Sequence, residues 1–224
     1  ESIPYPVLRK EQYKTQHLEA LFFGQANLLD EELFDPYYLQ LREQYKYLKH
    51  KYKLTGISIP LQFFRLRPAN FPTLRLAQLA ALCTQSNSAF SKIVATNSKE
   101  ELHRLFAVTV SDYWNTHYTF QKSSPATKRK ITEKFIDLLI INTIIPIKFV
   151  YQRQMGKENL EDLLALIQSI KPDSNAQIDQ FIKIGVKVDS AFISQSLLQL
   201  KNSYCIQKKC LSCRAGNFLI RSVR

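Results

Sequence analysis

Glycine is scarce, five among 224 residues, and with it the turn chemistry that a many-stranded fold needs. Short strands joined by tight hairpins call on Gly and Asn at positive φ at most corners. Long regular elements are expected instead of a sandwich or barrel. Cysteine is limited to four residues, three of them crowded near the carboxyl end. That usage fits a reducing cytoplasm better than a secreted disulfide scaffold. Long apolar runs are lacking too: the most apolar, 135–151, is interrupted by Asp137, Asn142, Pro146 and Lys148 and reads as too short to cross a bilayer. The amino end has no charged head before an apolar block, hence no secretory signal. The first residue is Glu1, with no initiator methionine, which reads as a piece of a longer chain. Together these absences predict a cytoplasmic protein without a membrane partner.

Acids run out along the chain as well. Residues 1–60 hold eight basic and eight acidic side chains, but 61–130 hold ten basic against three acidic and 131–224 thirteen against eight. No acid follows Asp189, while six basic residues do, and the net charge is +12. Such asymmetry points to a polyanionic partner, DNA or RNA before an acidic protein or lipid surface; the plain alternative is solubility.

What the chain has is helical periodicity. Glu11 to Phe23 places Tyr13, Leu18, Leu21 and Phe22 largely on one side, with Gly24 as a left-handed stop. Asp35-Pro36 starts a helix to Tyr52 with Tyr38, Leu41, Tyr45 and Leu48 in register and Lys46, Lys49, Lys51 and Lys53 as a solvated flank. Residues 56–64 read as a loop with a short extended piece. Thr73 to Gln85 is a third helix, and Ser98 begins a fourth. Val108 to Phe120, aromatic and β-branched, is a loop or a hairpin, and 121–130 is polar, basic and Pro-broken, the best linker candidate. Further helices are read over 131–151, kinked near Pro146, then 157–170, 173–184, 190–202 and 209–220. The expectation is an all-α, irregular multi-helix bundle of about nine helices, as one domain over 1–224 or as two packed layers with a sub-boundary at 121–130, dividing 1–120 from 131–224.

Three clusters carry candidate chemistry. In Phe63 to Leu76, Arg65, Arg67 and Arg75 flank two prolines and a helix start. Arg65 and Arg67 share a side if the stretch is extended. Guanidinium forks beside free helix N–H groups would hold a phosphate, and Asn70 would cap the turn or touch a base edge. The alternative is a structural clamp to carboxylates. Lys128, Arg129, Lys130, Lys208 and Lys209 would widen the basic surface. Tyr113, Trp114, His117 and Tyr118 either stack unpaired bases or plug the space under a loop. Cys205, Cys210 and Cys213 have a spacing that suits zinc or an iron–sulfur cluster, the alternative being free thiols packed as small apolar groups. No cofactor is otherwise expected. Asp137 and Asn142, in the apolar helix, each call for a partner on a neighbouring helix or among the arginines.

The stretches Glu19 to Ala26, Leu66 to Pro72, Tyr113-Trp114 with His117-Tyr118, and Asn202 to Cys205 with Cys210 to Cys213 resemble an uncharacterised bacterial family, largely from Bacteroidetes, known as domain of unknown function 2851. The resemblance runs over nearly the whole chain. Its members carry an additional amino-terminal half with Gly-Pro-Asp-Phe and Val-Glu-Ile-His elements, reminiscent of metal-dependent nucleases with an Asp…Glu-x-Lys core. Neither element occurs in this sequence. The resemblance therefore implies a carboxy-terminal helical region of a nuclease-like protein, with the missing half as a natural partner and any catalysis lying outside this chain. The cysteine tail also looks like the cluster loop of endonuclease III-type DNA glycosylases, but its first gap is shorter and it lacks a closing cysteine. Two functional expectations follow: nucleic-acid binding, or a structural domain that packs on the missing half.

Overall fold

The structure, a computed structural model, describes residues 2–56, 61–86, 88–157 and 159–222. Its α-helices are α1 (Tyr5–Glu11), α2 (Thr15–Gln25), α3 (Pro36–Tyr52), α4 (Pro72–Gln85), α5 (Ala89–Ala95), α6 (Lys99–Phe106), α7 (Asp112–Thr116), α8 (Glu133–Leu139), α9 (Ile145–Gln154), α10 (Leu160–Gln168), α11 (Ala176–Lys183), α12 (Ala191–Leu200) and α13 (Arg214–Ser222). Among the described residues there is no strand, only the isolated bridges Thr109–Lys130 and His117–Ser123. The all-α expectation holds, with more and shorter helices than foreseen. Two compact units form: residues 1–92 with 103–133, and residues 93–102 with 134–224.

In the first unit α2 packs against both α3 and α4. Leu18 through Gln25 are all buried, so beyond its first turn α2 has no solvent face; a helix apolar nearly all round belongs in a core. Tyr13, read as part of this face, instead lies in the turn before α2 and is exposed. Gly24 is not a stop but lies inside this helix. A Cβ there would sit 2.2 Å from the Tyr45 ring, so the glycine is what lets α3 approach. Helix α3 follows the expected register: Asp35 Oδ1 accepts the Tyr38 N–H at 2.8 Å as an N-cap, Pro36 fills the first turn, and Tyr38, Leu41, Tyr45 and Leu48 are buried. Trp114 of α7 is wholly buried and stacks on Phe23 at 5.1 Å.

The second unit is built on one helical course. Helix α8 runs into a π turn over Ile140–Ile144 and on into α9, with the Ile145 N–H bonding Ile140 O. This widened turn accommodates Pro146, which would otherwise break the ladder. The continuous helix Glu133–Gln154 spans 22 residues and, by length and composition alone, is long and apolar enough to cross a membrane. The apolar run read from sequence, 135–151, lies within this helix, which gains two residues at its start and three at its end and is not ended by the interrupting polar groups. One of those, Lys148, is wholly buried; its Nζ donates to the carbonyls of Ile93 at 3.1 Å, Val94 at 3.2 Å and Thr96. Asp137 pairs with Lys99 at 3.5 Å. Asn142 is exposed and bonds Leu138 O of its own helix at 3.0 Å, so it needs no partner helix. Helix α10 packs on α9 and α12, and α11 on α12.

Candidate nucleic-acid interface

The arginine loop is a knuckle, not an extended strand. Leu66 N–H bonds Phe63 O at 3.2 Å, closing a turn in which Arg65 takes a left-handed φ of 61°. Pro68–Asn70 then forms a 3-10 turn, with Asn70 N–H on Arg67 O at 2.8 Å. The Phe63 and Phe71 rings meet edge to face at 5.3 Å. The alternation argument that put Arg65 and Arg67 on one side therefore fails, because it needs extended backbone. Both side chains are nonetheless exposed, and neither forms an ion pair among the described residues. The Arg65 guanidinium lies 5.1 Å from the Phe64 ring centroid, a cation–π contact.

Arg75 behaves differently. It is half-buried in the first turn of α4, its Nη1 donating to Gln78 Oε1 at 2.8 Å and its Nη2 to Asn70 Oδ1 at 2.7 Å. Both of these partners are neutral amides, and burial draws the guanidinium below its ordinary range. Asn70 is thus a tether for Arg75 and not a cap; α4 has no side-chain cap at Phe71.

The basic segment 121–130 belongs to the first unit. Lys128 and Lys130 are exposed, but Arg129 is buried. Its guanidinium sits 3.4 Å over the Tyr118 ring and donates to His117 O and Ser124 Oγ. Sequence alone placed Arg129 on the surface with its neighbours. The structure makes it an internal clamp, since the Tyr118 face and a carbonyl together replace the water that its charge would otherwise need. Thr73 of α4 donates to Tyr118 O, so this clamp and the foot of the arginine loop share one residue. Lys208 and Lys209 are exposed on the second unit.

The aromatic cluster faces inward. Tyr113 stacks on Tyr37 at 4.2 Å and on His117 at 4.0 Å, covering both ring faces, while its hydroxyl donates to Asp35 Oδ2 at 2.7 Å. No face of Tyr113 or Trp114 is open to a base. His117 Nδ1 lies 3.0 Å from Tyr113 O and 2.9 Å from Thr116 Oγ1.

Beneath lies a carboxylate that sequence reading overlooked. Glu19 is fully buried, with the Tyr37 hydroxyl, the Ser111 hydroxyl at 3.0 Å and the Trp114 indole N–H at 3.4 Å as donors. Burial raises its pKa, and the three hydrogen bonds only partly offset that. Having no solvent access, Glu19 organises the core. The only sequence hint was an acid inside an otherwise apolar helix.

Among the described residues no three His, Cys, Asp or Glu side chains gather as metal ligands. Cys205 and Cys210 are exposed free thiols, and Cys213 is half-buried. The zinc or iron–sulfur alternative thus finds no ligand set among the described residues: Cys205 ends the π turn over Lys201–Cys205, while Cys210 opens the 3-10 turn over Cys210–Ser212.

A cleft of about 280 Å3 opens at the foot of the arginine loop, lined among others by Phe63, Thr73, Phe120, Gln121 and Glu31. What the first unit presents to solvent is thus a knuckle whose two exposed guanidinium groups have no ion pair among the described residues, an adjoining cleft, and the exposed Lys128 and Lys130.

No curated protein and no solved structure matches the chain. A family model described as protein of unknown function does match, over residues 1–176. The chain belongs to that family, DUF2851.

Proposed function

We propose that this chain binds nucleic acid through the arginine knuckle of its first unit, as the helical, non-catalytic part of a nuclease-like cytoplasmic protein. The observation that carries the reading is the state of Arg65 and Arg67, exposed and without a carboxylate partner among the described residues. Planar forks left unsatisfied by the protein suit phosphate oxygens, which they bind bidentately. Arg75, half-buried and held by Asn70 and Gln78, braces the helix behind them. Lys128 and Lys130 extend the field.

The test is a binding isotherm on single- and double-stranded DNA and RNA at several salt concentrations. Affinity should fall steeply with salt, and Arg65→Ala with Arg67→Ala should lower the logarithmic salt slope by about two. An unchanged slope would remove the arginines from the interface.

A second reading has its own support. Phe64 and Leu66 on the same knuckle are 77% and 42% exposed, which suits a protein partner such as the amino-terminal half that the family resemblance implies. Under it, nucleic-acid affinity is negligible, and Phe64→Ser weakens association with that half.

A further inference from the structure

We infer that the cleft at the foot of the arginine knuckle receives an unpaired guanine base. This rests on the nucleic-acid reading above and adds what the site recognises. At about 280 Å3 the cleft lies at the small end of ligand sites, which start at roughly 300 Å3, so it admits one planar heterocycle and no duplex. Phe63 and Phe120, both half-buried, line it; Phe120 is packed among Phe23, Tyr38 and Trp114 and forms the apolar floor, which leaves Phe63 as the ring on which a base would stack.

The polar lining groups are Asn27, Glu31, Thr73, Thr119 and Gln121, of which the Thr73 hydroxyl is already engaged with Tyr118 O and Glu31 alone is charged. Their backbone is pinned where it matters: Glu31 O accepts the Tyr38 hydroxyl at 2.6 Å, and the Gln121 N–H donates to Asp35 Oδ2 at 3.4 Å. The Glu31 carboxylate itself makes no hydrogen bond or ion pair among the described residues. An ionised carboxylate only accepts. Guanine alone among the common bases sets two adjacent donors, N1–H and the N2 amino group, on its pairing edge. Adenine and cytosine each offer an amino group beside a ring nitrogen acceptor. Thymine and uracil offer one N–H between two carbonyls, which the carboxylate repels.

Charge orders the rest of the strand. Glu31 repels phosphate from the cleft, while Arg65 and Arg67 follow Phe63 by two and four residues and attract it to the rim. A strand held by its phosphates on the knuckle thereby presents one base to the cleft.

The experiment measures fluorescence anisotropy of the full 224-residue chain with a labelled thymine-only DNA strand and the same strand carrying one central guanine. Two hydrogen bonds to a charged acceptor should tighten the guanine strand about tenfold. Glu31→Gln should abolish that preference, with the thymine strand, relieved of the carboxylate's repulsion, binding at least as tightly as before; Phe63→Ala should weaken the guanine strand more than the thymine strand, with circular dichroism checking both folds. Equal affinity for both strands in the unsubstituted protein overturns the guanine site and leaves the phosphate reading standing. If neither strand binds, the phosphate reading fails, and calorimetry with free guanosine decides the cleft alone. Guanosine binding lost in Glu31→Gln sustains the site, and no guanosine binding overturns it.

Discussion

Replacing Gly24 with alanine ought to stabilise an ordinary helix, and here it should do the opposite. Alanine in a helix interior is favoured over glycine by about 1 kcal/mol. Against this, the added Cβ would stand 2.2 Å from Tyr45 Cγ and 2.3 Å from both Cδ atoms, closer than any real carbon contact. The ring cannot swing aside cheaply, because Tyr45 is only 6% exposed and its hydroxyl accepts a 3.0 Å hydrogen bond from Gln25 Nε2, which is itself buried. Overpacking costs about 1–3 kcal/mol, and stranding the Gln25 amide adds about 1–2 kcal/mol. After the helix gain is subtracted, Gly24→Ala should destabilise the first unit by about 3 kcal/mol. Urea unfolding followed by tryptophan fluorescence is the assay, since Trp114 is the one tryptophan in the sequence and lies wholly buried in the same core. Tyr45→Ala removes the obstacle at its own cost. In that background Gly24→Ala should be neutral or stabilising by up to about 1 kcal/mol, giving a coupling of about 3 kcal/mol. A Gly24→Ala protein as stable as the parent, or additivity in the double variant, would refute the close-approach account of α2 and α3.

Three further outcomes follow from polar groups inside the units. The Glu11 carboxyl is held at about 2, below its usual 4.5: burial raises it, but hydrogen bonds from Tyr52, His17 and Lys51 outweigh that. A carboxyl depressed in the folded state contributes stability above about pH 5 and loses it as pH falls towards 2, about 2 kcal/mol after discounting for the exposed Lys51. Glu11→Gln should flatten the acid limb of a stability-against-pH curve, and an unchanged limb would contradict the assignment. Lys148→Met should cost about 3 kcal/mol in thermal unfolding by circular dichroism, because three carbonyls at the end of α5 lose their donor; an unaltered melting temperature would count against that capping role. Arg129→Lys should destabilise by about 1–2 kcal/mol, as an ammonium cannot both cover the Tyr118 ring and reach His117 O and Ser124. The salt slope of nucleic-acid binding should stay the same in that variant, and a fall of about one would return Arg129 to the interface.

How much of this could be read beforehand depended on the range of the forces involved. Helix α3 was legible because its start is a local matter of Asp35 and Pro36 and its burial pattern repeats at helical spacing. Helix α4 was legible for the same reason, with Pro72 at its first turn. Helix α5 was missed: its seven residues bury none of their side chains and so leave no periodic signature. Helix α7 is five residues within a stretch that equally suits strand pairing, and its place was decided by Trp114 stacking on Phe23 from a distant part of the chain. In the candidate site, exposure of Arg65 and Arg67 followed from a Pro-flanked loop. Separating them from Arg129 did not, since all three look alike in a basic sequence and only the Tyr118 ring draws one of them inside.

By itself, then, the sequence determined that the chain is all-helical, that α3 presents one apolar face, and that positive charge gathers after residue 60; composition and nearest-neighbour periodicity are properties each segment carries alone. Tertiary structure decided what happens to the polar groups. Glu19 and Lys148 went inward because partners from distant segments meet each of them, as Ser111 and Trp114 meet Glu19, and Arg129 because the chain folds back so that Tyr118, His117 and Ser124 enclose it. Gly24 became a point of contact because Tyr45 was brought against it. Burying a charge is tolerable only where such partners converge, and that convergence exists only once the chain has folded.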